Sequence, residues 1–487
     1  MTNRTAFILL LAAVAAPAAQ AQRTDPADLI ITNVTVIDPE TRRVSPGVEI
    51  VIDDGRIVSI GKGAKRVTPA KAVIDGRGKF AIPGLMDMHA HTNLRPLHRS
   101  TLTLMYANGI TGARDMASDC HSEKGIAMCI GEMRKAAAAI DAGTLTGPRL
   151  LALSTMKIQS AGGPNDPADP RARFFPQTPE QTAALIPVLL ERKPDLIKMG
   201  DVIDSASYKL LIDAAKANRI EVSGHIPAQL SVKQAAELGQ RSIEHARDLP
   251  LDCSRYGASY RTAMAQPGDA RPSSADRVKN AVETQDAKIC AEQIAALVQH
   301  GTYYVPTHLT RQMDYRASDP TFRNDPRLAW IVPRQRQMWD RDLDRYAAMP
   351  PEQIEAFGKF FRLGLKLTGQ AHRAGVKIMA GTDANDTMVF PGFSLHDELA
   401  LLVEAGLSPM DALRAATTVP AEYLRRSRDL GGLANGKLAD IILLDANPIQ
   451  AIGNTRRIAY VVQGGRVSDR AALDTMLAET RVPDPAR

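Results

Sequence analysis

Apolar and polar positions alternate at both ends of this chain, and run in short unbroken apolar blocks through its middle. Between residues 27 and 80 the text reads LIITNVTVID, VEIVIDDGRIVSIG and AVIDGRGKFAIPG. These are period-two segments broken by Asp-Gly turns, the mark of β-hairpins. Similar text returns near the C-terminus as KLADIILLDANP and IAYVVQGGRVS. Two β segments bracketing a different kind of sequence predict one small β-sandwich built from both chain ends, over 22–83 and 426–487.

The span 84–425 has another rhythm. Its apolar blocks are AIPGLMDMHAH (81–91), ITGARDM (110–116), RLLALS (149–154), DLIKM (195–199), IEVSGH (220–225), RSIEH (241–245), TYYVPTH (302–308) and VKIMAGTD (376–383). Amphipathic stretches of helix length separate them, near 99–108, 125–141, 178–192, 204–217, 231–238, 283–299 and 351–374. Strands separated by helices imply a parallel sheet, and eight of them close a (β/α)₈ barrel of the TIM type. Two stretches break the alternation, 246–282 and 308–350. Both follow a strand, so both hang over the mouth, where long loops usually serve as lids or binding loops.

Every strand in such a barrel points its C-terminal end at the same mouth. His89, His91, Lys198, His225, His245 and Asp383 each close an apolar block, so the fold brings them together. His89 and His91 have strand spacing and face the same way. Four histidines, a lysine and an aspartate in one pocket predict a metal site and hydrolytic chemistry. The remaining histidines 98, 121, 300, 372 and 396 fall on helices or loops without such company.

Composition narrows the class. Hydrophobic residues make up 44% and charged residues 23%, as in ordinary globular proteins. The net charge of +6 is spread along the chain and gives no case for nucleic acid. The first 21 residues combine Arg4, an apolar run from Ala6 to Ala16 and Ala19-Gln20-Ala21. That is the layout of a secretory leader cut after Ala21, too short to span a bilayer, where about 20 apolar residues are needed. The expectation is a periplasmic or secreted protein with no membrane attachment after cleavage; a homo-oligomer is left open.

Export makes disulfides available. Cys120 follows the second strand and Cys129 lies in the helix after it; Cys253 follows the sixth strand and Cys290 lies in the next helix. Each pair closes a modest loop within a single βα unit, so Cys120–Cys129 and Cys253–Cys290 are the expected bonds.

The run PGLMDMHAH, followed in order by GITGARDM, IKM, GHIP, SIEH, GTDA and GKLADIILLDANP, resembles the amidohydrolase superfamily over nearly everything after the leader. The branch it is most similar to is that of imidazolonepropionase-like amidohydrolases, which includes exported peptidases of the Xaa-Pro dipeptidase kind. The resemblance implies two divalent metal ions. His89, His91 and Asp383 would hold one, and His225 and His245 the other. Lys198 would bridge both as a carbamate formed with carbon dioxide, since a bare ammonium has no lone pair to give a cation. Asp383 would also be the catalytic proton carrier. Zinc suits such nitrogen and oxygen donors, and manganese, cobalt and iron satisfy them too.

The expected activity is hydrolysis of a C–N bond in a small molecule, a dipeptide or an N-acyl amino acid. A two-metal esterase, lactonase or phosphotriesterase shares the ligand set. A single-metal deaminase or imidazolonepropionase-type hydrolase lacks the bridging lysine, and a metal-free scaffold lacks the ligands. For substrate, the 246–282 stretch offers Arg247, Arg255, Tyr256, Tyr260 and Arg261, and His308 ends the seventh strand. Arg247, Tyr256, Tyr260 and His308 are the candidates for contact with a substrate carboxylate. Arg114-Asp115, at the end of the second strand, is expected to give salt-bridged support.

Overall fold

The computed structural model describes residues 26–63, 69–166, 168–265 and 272–483. The leader predicted over 1–21 lies outside them. Five strands open the chain: β1 (Leu29–Asp38), β2 (Arg43–Asp53), β3 (Arg56–Gly61), β4 (Ala72–Asp75) and β5 (Phe80–Pro83). A parallel set follows: β6 (Leu85–Ala90), β7 (Ile110–Asp115), β8 (Arg149–Leu153), β9 (Leu196–Met199), β10 (Glu221–Gly224), β11 (Ser242–Glu244) and β12 (Tyr303–Val305). Near the C-terminus come β13 (Ile441–Leu444), β14 (Ile458–Gln463) and β15 (Arg466–Asp469).

The two chain ends meet where β5 pairs antiparallel with β13, Ile82 opposite Ile442. They form a single mixed sheet of eight strands in the order β15-β14-β13-β5-β1-β2-β3, with β4 beside β1. Both chain ends thus build one β unit, joined as a continuous hydrogen-bonded sheet. Alternation specifies two faces for a strand but not how many layers its neighbours form. Both faces of this sheet are used. Ile441 and Leu443 pack with Leu29, Ile31 and Val462, whereas Ile442 and Leu444 join Ile110 and Ile458 in the core beneath the parallel strands.

The parallel strands form two ladders, β6-β7-β8 and β9-β10-β11-β12. All residues of β6, β7 and β9 are buried, which explains why these segments read as unbroken apolar runs. Single bridges join the ladders, Ser154 to Leu196 on one side, and Tyr304 to Ile378 and Ala90 to Ala384 on the other. The predicted eighth strand, 376–383, makes only these bridges. Its end is diverted: the Thr382 N–H donates to Asp87 Oδ1 at 3.0 Å, and the chain turns left-handed at Asp383 (φ 64°).

Helices cross between the strands, and several begin at a residue whose side chain satisfies free N–H groups. Thr178 caps Pro179–Glu191, Asp204 caps Ser205–Asn218, and Ser231 with Gln234 forms a reciprocal box at Val232–Leu238. The two irregular stretches are largely helical. The first holds Asp248–Asp252, Tyr256–Met264 and Ser274–Glu283; the second holds Pro333–Ala347 and shorter turns. Cys120 is bonded to Cys129, and Cys253 to Cys290. Among the described residues, no helix is long and apolar enough to cross a membrane.

Candidate metal centre

The ends of β6, β9, β10 and β11 and the segment after Ile378 converge on one pocket. His89 and Lys198 lie within β6 and β9, and His91, His225 and His245 just past the ends of β6, β10 and β11. Three residues bordering the pocket take left-handed backbone: His245 (φ 69°), Thr307 (φ 40°) and Asp383 (φ 64°). Such conformations cost energy in non-glycine residues and gather at functional sites. Gly381 explains the Gly-Thr-Asp sequence: a Cβ there would lie 2.8 Å from His89 Cβ. Gly224 serves the same purpose before His225, because a Cβ at its φ of 123° would lie 2.6 Å from the Met199 carbonyl oxygen.

The six predicted residues are brought together. Asp383 Oδ1 lies 2.7 Å from His91 Nε2 and 3.4 Å from His89 Nε2. The ligand atoms of His89, His91 and Asp383 all fall within 4.8 Å of one another. Lys198 Nζ is 3.0 Å from His89 Nε2. On the other side, the Nε2 atoms of His225 and His245 face each other at 3.1 Å, and Asp383 Oδ2 is 3.7 Å from His245 Nδ1. Lys198 and His89 are buried, while the His91 side chain keeps 28% of its exposure and marks the open side.

Partners behind the histidines hold their rings. Glu244 Oε2 accepts from His89 Nδ1 at 2.8 Å, and Thr307 Oγ1 lies 2.7 Å from His245 Nδ1. The Glu244 carboxylate can only accept, so it holds the His89 proton on Nδ1 and leaves an Nε2 lone pair directed into the pocket, the state a metal-ligating imidazole needs, while the Thr307 hydroxyl anchors the His245 ring. Glu244 is itself held by Arg114, whose Nη2 lies 2.9 Å from each carboxylate oxygen. Arg114 thus has the salt-bridged supporting place expected of it. Asp115 accepts from the Thr92 N–H and hydroxyl, both at 2.6 Å, and steadies the turn after His91.

Burial sets the protonation states. It takes His89 down to about 4, aided by the Lys198 charge, and His225 down to about 3, aided by Arg247. It pulls His245 well below the usual range as well. Lys198 is lowered to about 8 by burial, against the raising charges of Glu244 and Asp383. Burial pushes Asp383 upward, but the surrounding His89, His91 and His245, with the hydrogen bond from His91, hold it well below the usual carboxylate range. Neutral imidazoles, a lysine close to its neutral form and an ionised carboxylate are the donor set for divalent cations. The residues present fit a metal centre.

The substrate candidates divide. Arg247 lies beside the pocket, its Nη2 3.3 Å from Asp201 Oδ2, and Asp201 Oδ1 is 3.7 Å from His225 Nδ1. His308 turns away from the mouth: it is fully buried, with Nδ1 on Glu398 at 2.9 Å and Nε2 on Thr368 at 3.0 Å. Tyr260 is buried among Leu251, Val278, Phe357 and Phe360, with Tyr256 against the same group. Their apolar rings pack the lid onto helix Pro351–Arg373 instead of lining the centre. Arg261 is consumed by Asp248 and Asp252, and Arg255 is largely exposed. Sequence reasoning missed Glu244 and Thr307. The only signal for Glu244 is a charged residue inside the buried block SIEH.

Residues 80–468 match the model of the amidohydrolase family, a family of hydrolases acting on carbon–nitrogen bonds. An adenine deaminase of Desulforamulus reducens is 43% identical over 67 residues, 14% of this chain; the match spans only 11% of that relative's length. Two solved structures are similar over nearly their whole length. A Xaa-Pro dipeptidase with bound methionine in its active site has a TM-score of 0.64 at 21% identity, covering 91% of this chain and 99% of that one. The bottromycin amidohydrolase has a TM-score of 0.66 at 21% identity, covering 94% and 90%. At these identities the structures share the fold, and the family match over 80–468 carries the classification: the chain belongs to the amidohydrolase family.

Proposed function

We propose that this protein is an exported, metal-dependent amide hydrolase of the (β/α)₈ type that cleaves the C–N bond of a dipeptide or an N-acyl amino acid. The observation that carries the reading is the donor set: four imidazoles, of which those of His89, His225 and His245 have low proton affinity, a buried lysine and an ionised aspartate, meeting where separate strands end. His89, His91 and Asp383 would hold one cation, and His225 and His245 a second. Lys198 would reach both once its neutral amine adds carbon dioxide at Nζ and releases a proton to become a carbamate. Two cations would supply a water acidic enough to act at neutral pH and would polarise the scissile carbonyl.

The chain's own groups do the rest. Asp383, ionised and on the open side, accepts the proton of the attacking water and gives it to the leaving nitrogen. Glu244 keeps His89 in the tautomer that leaves Nε2 free, and Thr307 holds the His245 ring in place. Export is supported by the leader-like first 21 residues and by two disulfides, which persist in oxidising compartments.

Metal analysis of purified wild type and Lys198→Ala, beside a hydrolysis screen of dipeptides and N-acyl amino acids, tests this. Two metals per chain in wild type are expected, with loss of most bridging metal and nearly all activity in the variant. Partial rescue of the variant by short carboxylic acids would identify the carbamate. Wild-type activity and full metal content in Lys198→Ala would end the two-metal reading.

A further inference from the structure

Each half of the centre has a carboxylate behind one of its histidines and an arginine behind that carboxylate. In one half the order is Arg114, Glu244, His89. In the other it is Arg247, Asp201, His225. The first relay is closed: Glu244 Oε2 is 2.8 Å from His89 Nδ1, and both side chains are buried. The second is looser. Asp201 Oδ1 stands 3.7 Å from His225 Nδ1, beyond hydrogen-bond length. Yet that nitrogen is shielded from solvent with no hydrogen bond, and Asp201 is the only carboxylate in reach of it among the described residues.

Asp201 is held where it stands. The His225 N–H donates to the Met199 carbonyl at 3.0 Å and the Ala228 N–H to the Asp201 carbonyl at 2.9 Å. The turn after β9 and the turn after β10 are therefore bonded to each other. Arg247 aligns the carboxylate: its Nη2 lies 3.3 Å from Oδ2 and leaves Oδ1 toward the histidine. Arg247 is anchored in turn, with Nε 3.2 Å from Asp248 Oδ2, and Asp248 Oδ1 accepts from Arg261 at 2.9 Å. A guanidinium flanked by two carboxylates offers a third little attraction. Arg247 thus belongs to the frame of the centre and not to a substrate carboxylate.

A carboxylate can only accept, so an aspartate behind Nδ1 keeps the imidazole proton there and the Nε2 lone pair free for a cation. We infer that Asp201, aligned by Arg247, is the positioning residue of His225 and sets the affinity of the metal position that His225 shares with His245. Closing the remaining gap takes a small rotation of a side chain that keeps 37% of its exposure. The inference rests on the two-metal reading above.

Zinc titration against a competing chelator tests it. The proteins are metal-free wild type, Asp201→Asn, Asp201→Ala, Arg247→Gln and the double variant Asp201→Ala/Arg247→Gln. Asp213→Asn, on the exposed side of helix Ser205–Asn218, is the control and should match wild type. Wild type should take two ions. Asp201→Ala should weaken one of them about 10–100-fold and leave the other within about threefold. Asp201→Asn keeps an acceptor oxygen without the charge and should fall between. Hydrolysis by Asp201→Ala should recover as free zinc is raised, because metal retention is what is lost. Arg247→Gln should weaken the same ion, and should add nothing once Asp201 is gone, because it acts through the aspartate. The metal-free Asp201 variants should melt with wild type, which a purely structural aspartate would not allow. Unchanged affinity for both ions in Asp201→Ala, equal weakening of both, or full additivity in the double variant would overturn the inference and leave the two-metal reading intact. Wild type that takes up no second ion would overturn both.

Discussion

Glu244→Gln is the sharpest probe of how the centre is held. Glu244 is completely buried and its two oxygens serve four contacts: Arg114 on each, Ser242 on Oε1 and His89 on Oε2. Glutamine has the same shape but one acceptor and one donor. Its NH₂ must confront either Arg114 or the His89 Nδ1–H, a donor facing a donor in both cases. If it faces His89, the imidazole proton is driven to Nε2, the nitrogen that would bind metal. If it faces Arg114, a guanidinium is left uncompensated in the interior. Breaking one partner of a buried pair costs about 3–5 kcal/mol, read as a fall in Tm on the order of 10 °C. Loss of the carboxylate behind a ligating histidine lowers metal affinity about 10–100-fold. Equilibrium denaturation of the metal-free protein measures the first, and chelator competition the second. The double variant Arg114→Met/Glu244→Leu separates them. Removing both charges should restore most of the stability, while His89 still lacks its acceptor and metal affinity stays low. Glu244→Gln with stability within about 1 kcal/mol of wild type and unchanged metal affinity would refute the argument. So would recovery of metal affinity in the double variant.

Three further outcomes are expected. Asp383→Asn, assayed at metal content matched to wild type, should slow hydrolysis on the order of 10²–10⁴-fold; a change below about tenfold would mean that another group carries the proton. The metal-free protein should lose stability as pH falls below 6.5. The folded-state pKa values of His89 (about 4) and His225 (about 3) lie below the ordinary 6.5, so the unfolded chain binds more protons in that window. Asp87, raised to about 7, and Asp386, raised to about 6, both by burial, oppose this as they protonate, as do Asp252 and Asp314, but the five lowered histidines His89, His121, His225, His245 and His396 outweigh these four carboxyls. Thermal melts of chelator-treated protein from pH 7 to 4 measure the slope, and a rise on acidification would contradict it. Loss of Cys253–Cys290, which spans 37 positions, should cost more than loss of Cys120–Cys129, which spans 9: about 4 against about 3 kcal/mol in the chain-entropy model. Paired Cys→Ser variants compared by denaturation check the order.

The parallel strands and the six centre residues were legible for one physical reason. A strand buried on both faces has no polar positions of its own, so a histidine or lysine ending an apolar block stands out and its direction is set by the barrel rule. The C-terminal end of VKIMAGTD shows the limit. Its composition is that of a strand, and it does bond to β6, with Met88 N–H on the Ala380 carbonyl at 2.9 Å and Asp383 N–H on the His89 carbonyl at 2.7 Å, but the chain turns left-handed at Asp383 and only isolated bridges result. The layering of the terminal sheet was illegible too, because period-two alternation looks the same in one sheet used on both faces as in a sandwich.

The lid was least legible, because a lid residue's role depends on who else claims its partners. Arg247, Arg261 and Arg277 look alike in sequence, each a basic residue in the stretch after the sixth strand. In the fold, Arg261 is saturated by Asp248 and Asp252 and becomes part of the scaffold. Arg247 is shared between Asp201 and Asp248 at the edge of the centre. Arg277, on a helix pinned by Val278 and Ala281, is left with an unsatisfied Nε. Tyr260 and His308 illustrate the converse, since both follow strands that end at the mouth and both spend their polar and aromatic surface on packing. Position along the barrel says which residues can reach the mouth. Only the three-dimensional count of donors and acceptors says which still have something to offer a substrate.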